Sequence, residues 1–348
     1  MSKRDELLIT FSKIIEDYRK GEVEPRSPEL IGGWLLQFPK KIQDALLEAL
    51  VYTFDKTYIS RENFKAFLSG LALNEKLSAG TKPKDYWRKA NILDIQLGGN
   101  SQKEILATFD EVLKETHGFQ LTETGSKNGD FIYLDDCIGT GNRVRSDICA
   151  WIETTAPKKV NMHLITPVLY AGSWWIDAKI QETAKANGKT ISLTKWRLES
   201  FQMENRLGYR SSADVLWPTE ISSDPDVQGY AKHLKDLGHP SMLRSPGNRG
   251  ASGIYKDDTQ KILLEQAFLT RGCQIRRECS NLPDRARPLG YHNLDCFGFG
   301  SMFVTYRNCP NNCPLPLWVQ QAEYPSLLPR KTNTQTSDEK LIKRLLRK

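Results

Sequence analysis

Long apolar runs are missing from this 348-residue chain. No stretch approaches the ~18 consecutive apolar residues that a membrane helix needs, which argues against a membrane protein. The opening Met1-Ser2-Lys3-Arg4-Asp5-Glu6 lacks the apolar core and cleavage site of a secretory leader, so the cytoplasm is the expected location. A Cys-x-x-Cys pair is also missing. The seven cysteines are an odd number at irregular spacings and are expected to be reduced rather than bridged. Cys273, Cys279, Cys296, Cys309 and Cys313 do not fall at the paired spacings of a zinc site. Neither Gly nor Pro is in excess, and no repeat or low-complexity block interrupts the chain, which leaves a soluble globular class. Strong one-signed charge is missing from most of the chain as well. The total is +7, but from Arg330 onward seven basic residues stand against Asp338 and Glu339, a balance of +5 that leaves only +2 for residues 1–329. A nucleic-acid-binding body is therefore not implied; the basicity belongs to the end of the chain.

What is present falls into three parts. Residues 1–80 read as a helical subdomain. Leu7, Leu8, Phe11, Ile14 and Ile15 recur at helical spacing, as do Ile42, Leu46, Leu47, Leu50 and Phe54. Ser60 is placed to cap a further helix. Trp34 and Phe38, four residues apart, are expected to pack between helices. Ala79-Gly80-Thr81-Lys82-Pro83 marks a boundary. Residues 81–329 then alternate strand and helix: Ile92–Ile95, a helix from Gln102, Phe131–Leu134, a helix from about Arg145, His163–Tyr170 with Pro167 able to split it, a helix over Ile176–Ala186, and Thr190–Leu193. This rhythm predicts an α/β fold, an open and mostly parallel sheet flanked by helices. Residues 205–258 read as loop-rich, a helix through Ile262–Phe268 is expected to stop at Arg271-Gly272, and Phe297–Val304 looks extended. Residues 330–348 form a basic tail.

One segment carries chemistry: Phe131-Ile132-Tyr133-Leu134-Asp135-Asp136-Cys137-Ile138-Gly139-Thr140-Gly141-Asn142. Ligands of open parallel sheets bind beyond the carboxyl ends of the strands, where Asp135 and Asp136 would stand. Adjacent carboxylates repel, so the pair calls for vicinal ribose hydroxyls or a Mg²⁺ ion. Gly139-Thr140-Gly141 permits the backbone to wrap an anion, and the next helix would aim its free N–H groups at it. An acidic turn capping a helix is the plainer alternative. Earlier in the chain, Gly98-Gly99-Asn100-Ser101 forms a second small-residue loop between a strand and a helix, able to approach phosphate.

The order acid-acid-x-x-x-Thr-Gly after an apolar strand resembles the fingerprint of the type I phosphoribosyltransferases. That resemblance implies that Asp135 and Asp136 contact ribose hydroxyls, that Cys137, Ile138, Gly139, Thr140, Gly141 and Asn142 bind the 5′-phosphate, and that Gly98–Ser101 touches pyrophosphate. Unlike many family members, the 98–101 loop carries no basic residue. With Trp34–Pro39, Leu264–Leu269 before Gly272, and Asn308-Cys309-Pro310-Asn311-Asn312-Cys313-Pro314 through Trp318, the whole chain resembles the phosphoribosyltransferase-like effectors of bacterial antiphage and conflict systems, including some retrons.

Three functions follow as expectations. The first is an enzyme acting at ribose C1 of a nucleotide or of phosphoribosyl pyrophosphate, with Mg²⁺ bound at Asp135 and Asp136. Tyr209, Arg210 and His239 lie in a loop that could cover such a site, although solvated loop residues are the simpler account. The second is a nucleotide sensor that binds without turnover. The third is a subunit of a defence complex with a reverse transcriptase or nucleic acid, contacted by the basic residues of 340–348; a solvated terminal helix is the plainer account of that tail.

Overall fold

The computed structural model describes residues 1–96, 101–198, 201–239, 242–279, 281–292 and 296–331. Side-chain caps set the first helices. Ser2 closes a capping box with Asp5 at the start of α1 (Lys3–Ile14). Ser27 and Pro28 open α2 (Pro28–Leu35), α3 follows over Lys40–Thr57, and strand β1 is Tyr58–Ile59. Ser60 caps α4 (Arg61–Ala72) by accepting from the Asn63 amide, as its position predicts.

The alternating part follows: α5 (Pro83–Lys89), β2 (Asn91–Ile92), α6 (Ser101–His117), β3 (Phe131–Leu134), β4 (Cys137–Ile138), α7 (Asn142–Thr154), β5 (Lys159–Ile165), β6 (Val168–Tyr170), α8 (Trp175–Ala186), β7 (Thr190–Trp196) and β8 (Gln202–Met203). Strands β2-β3-β5-β7 pair in that order, all parallel, which is the sheet the strand–helix rhythm predicts. Beyond their carboxyl ends the chain resumes as a second parallel ladder, β4-β6-β8, in the same relative order. Pro167 marks one of the breaks: it has no N–H to give the ladder, so His163–Tyr170 splits into β5 and β6. The first strand is shorter than the expected Ile92–Ile95, since only Asn91 and Ile92 pair with β3.

Alternation along β3 and β5 sends side chains to two cores. Ile132, Leu134 and Ile165 join the core of the N-terminal helices, whereas Tyr133, Met162 and Leu164 pack with Ile148, Ile152, Ile176 and Ile180 of α7 and α8. The first of these cores also takes in the end of the chain, built from α9 (Pro225–Asp236), α10 (Asp258–Glu278), β9 (Ala286–Arg287), β10 (Gly290–Tyr291), β11 (Val304–Thr305) and α11 (Leu315–Trp318). Trp34 meets Phe38 and Phe268 with ring centroids 5.1 and 6.4 Å apart and donates its indole N–H to Pro316 O at 2.8 Å. β11 pairs with β1.

Helix α10 does not stop at Gly272. It runs on to Glu278, because Gly272 serves close packing rather than termination: a Cβ there would lie 2.6 Å from Pro288 O. Of the extended stretch expected over Phe297–Val304, only Val304 enters a strand. Packing reaches past Trp318. Leu327 and Leu328 are buried, and Arg330, assigned to the tail by its charge, donates from Nε to Cys309 O at 2.7 Å. Residues 332–348, including the basic stretch 340–348, lie outside the described residues. Among the described residues no helix is long and apolar enough to cross a membrane.

Candidate functional site

Because β2 and β3 are parallel neighbours, the loops leaving their carboxyl ends emerge side by side. Gln102 ties their roots together. Its Oε1 accepts from the Ile95 and Gln96 amides at 2.8 and 2.9 Å, and its Nε2 reaches Leu134 O at 3.5 Å. Ser101 is the first residue of α6, hydrogen-bonded to the Gln96 side chain. Gly98, Gly99 and Asn100 lie outside the described residues.

Asp135 and Asp136 stand where β3 ends. The Asp135 amide extends the ladder to Ile165 O, and its carboxylate accepts from the Asp136 amide at 2.9 Å. Burial, then the charge of Asp136, pushes the Asp135 carboxyl well above the usual range. Asp136 has a different partner. Arg307 Nη1 donates to its Oδ2 at 2.9 Å, while Nε and Nη2 of the same guanidinium hold Glu104 of α6 at 2.8 and 2.7 Å. Two adjacent acids coexist because one is buried against its own backbone and the other is paired with a cation.

The loop beyond them is shaped by glycine. Gly141 takes φ +78°, and a Cβ on it would lie 2.5 Å from Ile176 Cγ2. Gly139 faces Asn312, whose Oδ1 would be 2.8 Å from an added Cβ. Gly141, which has no side chain to give a cap, is the N-cap of α7. The Asn142 amide lies 3.5 Å from Thr140 Oγ1, and the positive end of the helix dipole faces this loop. Trp175 fixes the loop from α8 by donating to Thr140 O at 3.1 Å.

Two cavities meet here. One, of about 560 Å³, takes in Ser101, Asp135, Asp136 and Arg307; the other, of about 500 Å³, takes in Ile138, Gly139, Thr140, Gly141 and Asn142. Asp135, Cys137, Arg143, Asn311 and Asn312 line both. The sequence of the chain matches the PRTase-CE family over residues 31–330. The chain belongs to the PRTase-CE family, a phosphoribosyltransferase-like family. No curated protein matches the chain.

The PRTase-CE span includes α3 and α4 together with the sheet, in keeping with the core they share. Within it, the structure places Ser101, Asp135, Asp136 and the whole 137–142 loop around two adjoining cavities. It adds residues that the sequence did not single out for chemistry. Arg307 sits 171 positions beyond Asp136 and gives no local signal. Asn311 and Asn312 belong to the conspicuous Asn-Cys-Pro turn, which could have been suspected. Arg19, Arg61 and Lys331, from both ends of the chain, line the larger cavity. Neither cavity is lined by Tyr209, Arg210 or His239. Arg210 Nε is bonded to Leu243 O, and Tyr209 lies under Arg206 with the guanidinium 4.2 Å from its ring centre. No disulfide joins any of the seven cysteines, and among the described residues no three His, Cys, Asp or Glu side chains converge as a metal cage.

Proposed function

We propose that this chain binds a 5′-phosphorylated ribose, as phosphoribosyl pyrophosphate or a nucleotide, and acts at its C1 carbon by glycosyl transfer or N-glycosidic cleavage. One observation carries the reading: an acid pair at a parallel strand end and a Gly-Thr-Gly loop at the N-terminus of α7 line two adjoining cavities that share Asp135. The helix end and loop suit a phosphate dianion. Asp136, and Asp135 once ionised by a neighbouring cation, suit the ribose hydroxyls through charge-assisted bonds. Cleavage at C1 builds positive charge on the sugar ring, which a carboxylate beside it stabilises. Two adjacent carboxylates are a donor set that fits Mg²⁺, which is usually held by one or two carboxylates plus substrate phosphates. Asp135 and Asp136 would hold it, and when bound it neutralises a pyrophosphate leaving group. A place in antiphage defence, with a reverse transcriptase or nucleic-acid partner, is supported by the resemblance of the whole chain to conflict-system effectors.

A sensor that binds without turnover is favoured by a separate observation. Asp136 is already neutralised by Arg307, and no histidine among the described residues lines either cavity to serve as a base. Titration calorimetry with ribose 5-phosphate and with phosphoribosyl pyrophosphate plus Mg²⁺, followed by mass spectrometry of the products, separates the readings. Binding with turnover supports the enzyme, and binding alone supports the sensor. The variant Asp135→Asn/Asp136→Asn is expected to lose binding while staying folded, since each bond to a charged group contributes about 1.5–3 kcal/mol. Undiminished binding by that variant would remove the ribose role of the pair.

A further inference from the structure

The Asn308–Pro314 turn has no part in the reading above, yet its Asn311 and Asn312 line both cavities. Its backbone is fixed at several points. The Tyr291 amide donates to Asn311 O at 2.7 Å, the Ser301 amide to Asn312 O at 3.1 Å, and the Cys313 amide to Pro310 O at 3.1 Å. The Asn312 carboxamide is part of this scaffold, donating from Nδ2 to Tyr291 O at 2.8 Å while its Oδ1 packs on Gly139. The neighbouring Asn311 differs. Its carbonyl is engaged, but among the described residues its side chain has no hydrogen-bond partner, and it is half-buried where the two cavities join. A carboxamide offers two donors and an acceptor without charge, so it can meet a phosphate oxygen and a sugar hydroxyl in the cavity that the Asp136–Arg307 pair also lines. Held on a rigid turn, it loses little freedom when it binds.

We propose that Asn311 is a ligand-binding residue whose carboxamide contacts the phosphorylated ribose from the side of the C-terminal turn. The inference rests on the phosphoribose reading and adds a contact that the Asp135–Asn142 segment does not contain.

The test is calorimetric titration of ribose 5-phosphate into wild type, Asn311→Ala and Asn311→Asp, with thermal melting of each. Asn311→Ala is expected to weaken binding about 5–10-fold, the value of one hydrogen bond. Asn311→Asp is expected to weaken it by about 30-fold or more, because a carboxylate would replace the donor and face a dianion. Both are expected to melt like wild type, since the side chain holds nothing in the fold. The Asp variant is isosteric and carries the test if the Ala variant melts early. Wild type that binds while both variants bind within about twofold of it would overturn the role of Asn311 and leave the phosphoribose reading standing. Wild type that binds no ribose 5-phosphate would overturn that reading, and this inference with it.

Discussion

Replacing Arg307 with Met keeps an unbranched apolar stem and removes the cation that bridges α6 to the end of β3. Arg307 is only 6% exposed, so the two carboxylates it serves lose their partner in a desolvated place. They lose it unequally. The Glu104 side chain is 42% exposed and turns back to water at little cost, whereas Asp136 is 22% exposed and keeps part of its charge out of solvent. Breaking a buried ion pair costs about 3–5 kcal/mol. With Glu104 discounted for its exposure, the expected loss is about 2–3 kcal/mol, close to one strong charge-assisted bond. Urea unfolding followed by circular dichroism reads this difference directly. A double-mutant cycle with Asp136→Asn should return a coupling of about 1–2 kcal/mol between the two residues. If Arg307→Met costs less than about 0.5 kcal/mol, the guanidinium is not what allows two adjacent acids to stand at the strand end, and that account fails.

Gly141→Ala places a Cβ 2.5 Å from Ile176 Cγ2 at a positive φ, so a loss of about 2 kcal/mol or more is expected together with weaker ribose 5-phosphate binding; an unchanged melting temperature would contradict the loop geometry. Burial and Asp136 raise the Asp135 carboxyl in the folded state, so its favourable contribution is complete below the ordinary aspartate range and fades as pH rises through the raised value. Asp135→Asn, which cannot ionise, should therefore gain melting temperature relative to wild type between pH 4 and pH 8, and a gap independent of pH would refute this. A chain ending at Lys331 keeps the Arg330–Cys309 contact and should melt like the full chain. If the basic residues 340–348 contact nucleic acid, that truncation also flattens the salt dependence of association, and identical slopes would exclude the contact.

Much of the sheet could be read from local order. Phe131–Leu134 is an apolar run bounded by acids and glycine, and it is β3 without adjustment. Pro167 broke its strand because a missing N–H acts wherever the residue sits, and Ser60 capped α4 because capping needs only the next three residues. The acid pair and the Gly-Thr-Gly loop belong to the same class: contiguous residues whose backbone geometry is set by neighbours. Gly272 shows where local reading fails. The same residue that ends a helix in isolation lies inside α10, because Pro288, sixteen positions later, needs the space of its missing side chain. Arg307 and the charged residues that both ends of the chain bring to the larger cavity are a further step removed. Their places come from pairings across long separations, such as Arg307 with Asp136 and Lys331 with Glu22, which leave no periodicity or spacing in the sequence. The chain's own order determined that an acid pair and a Gly-Thr-Gly loop follow a parallel strand. Only tertiary packing decided which charges and carboxamides stand around them, because charge pairing and desolvation are set by distance in space rather than by distance along the chain.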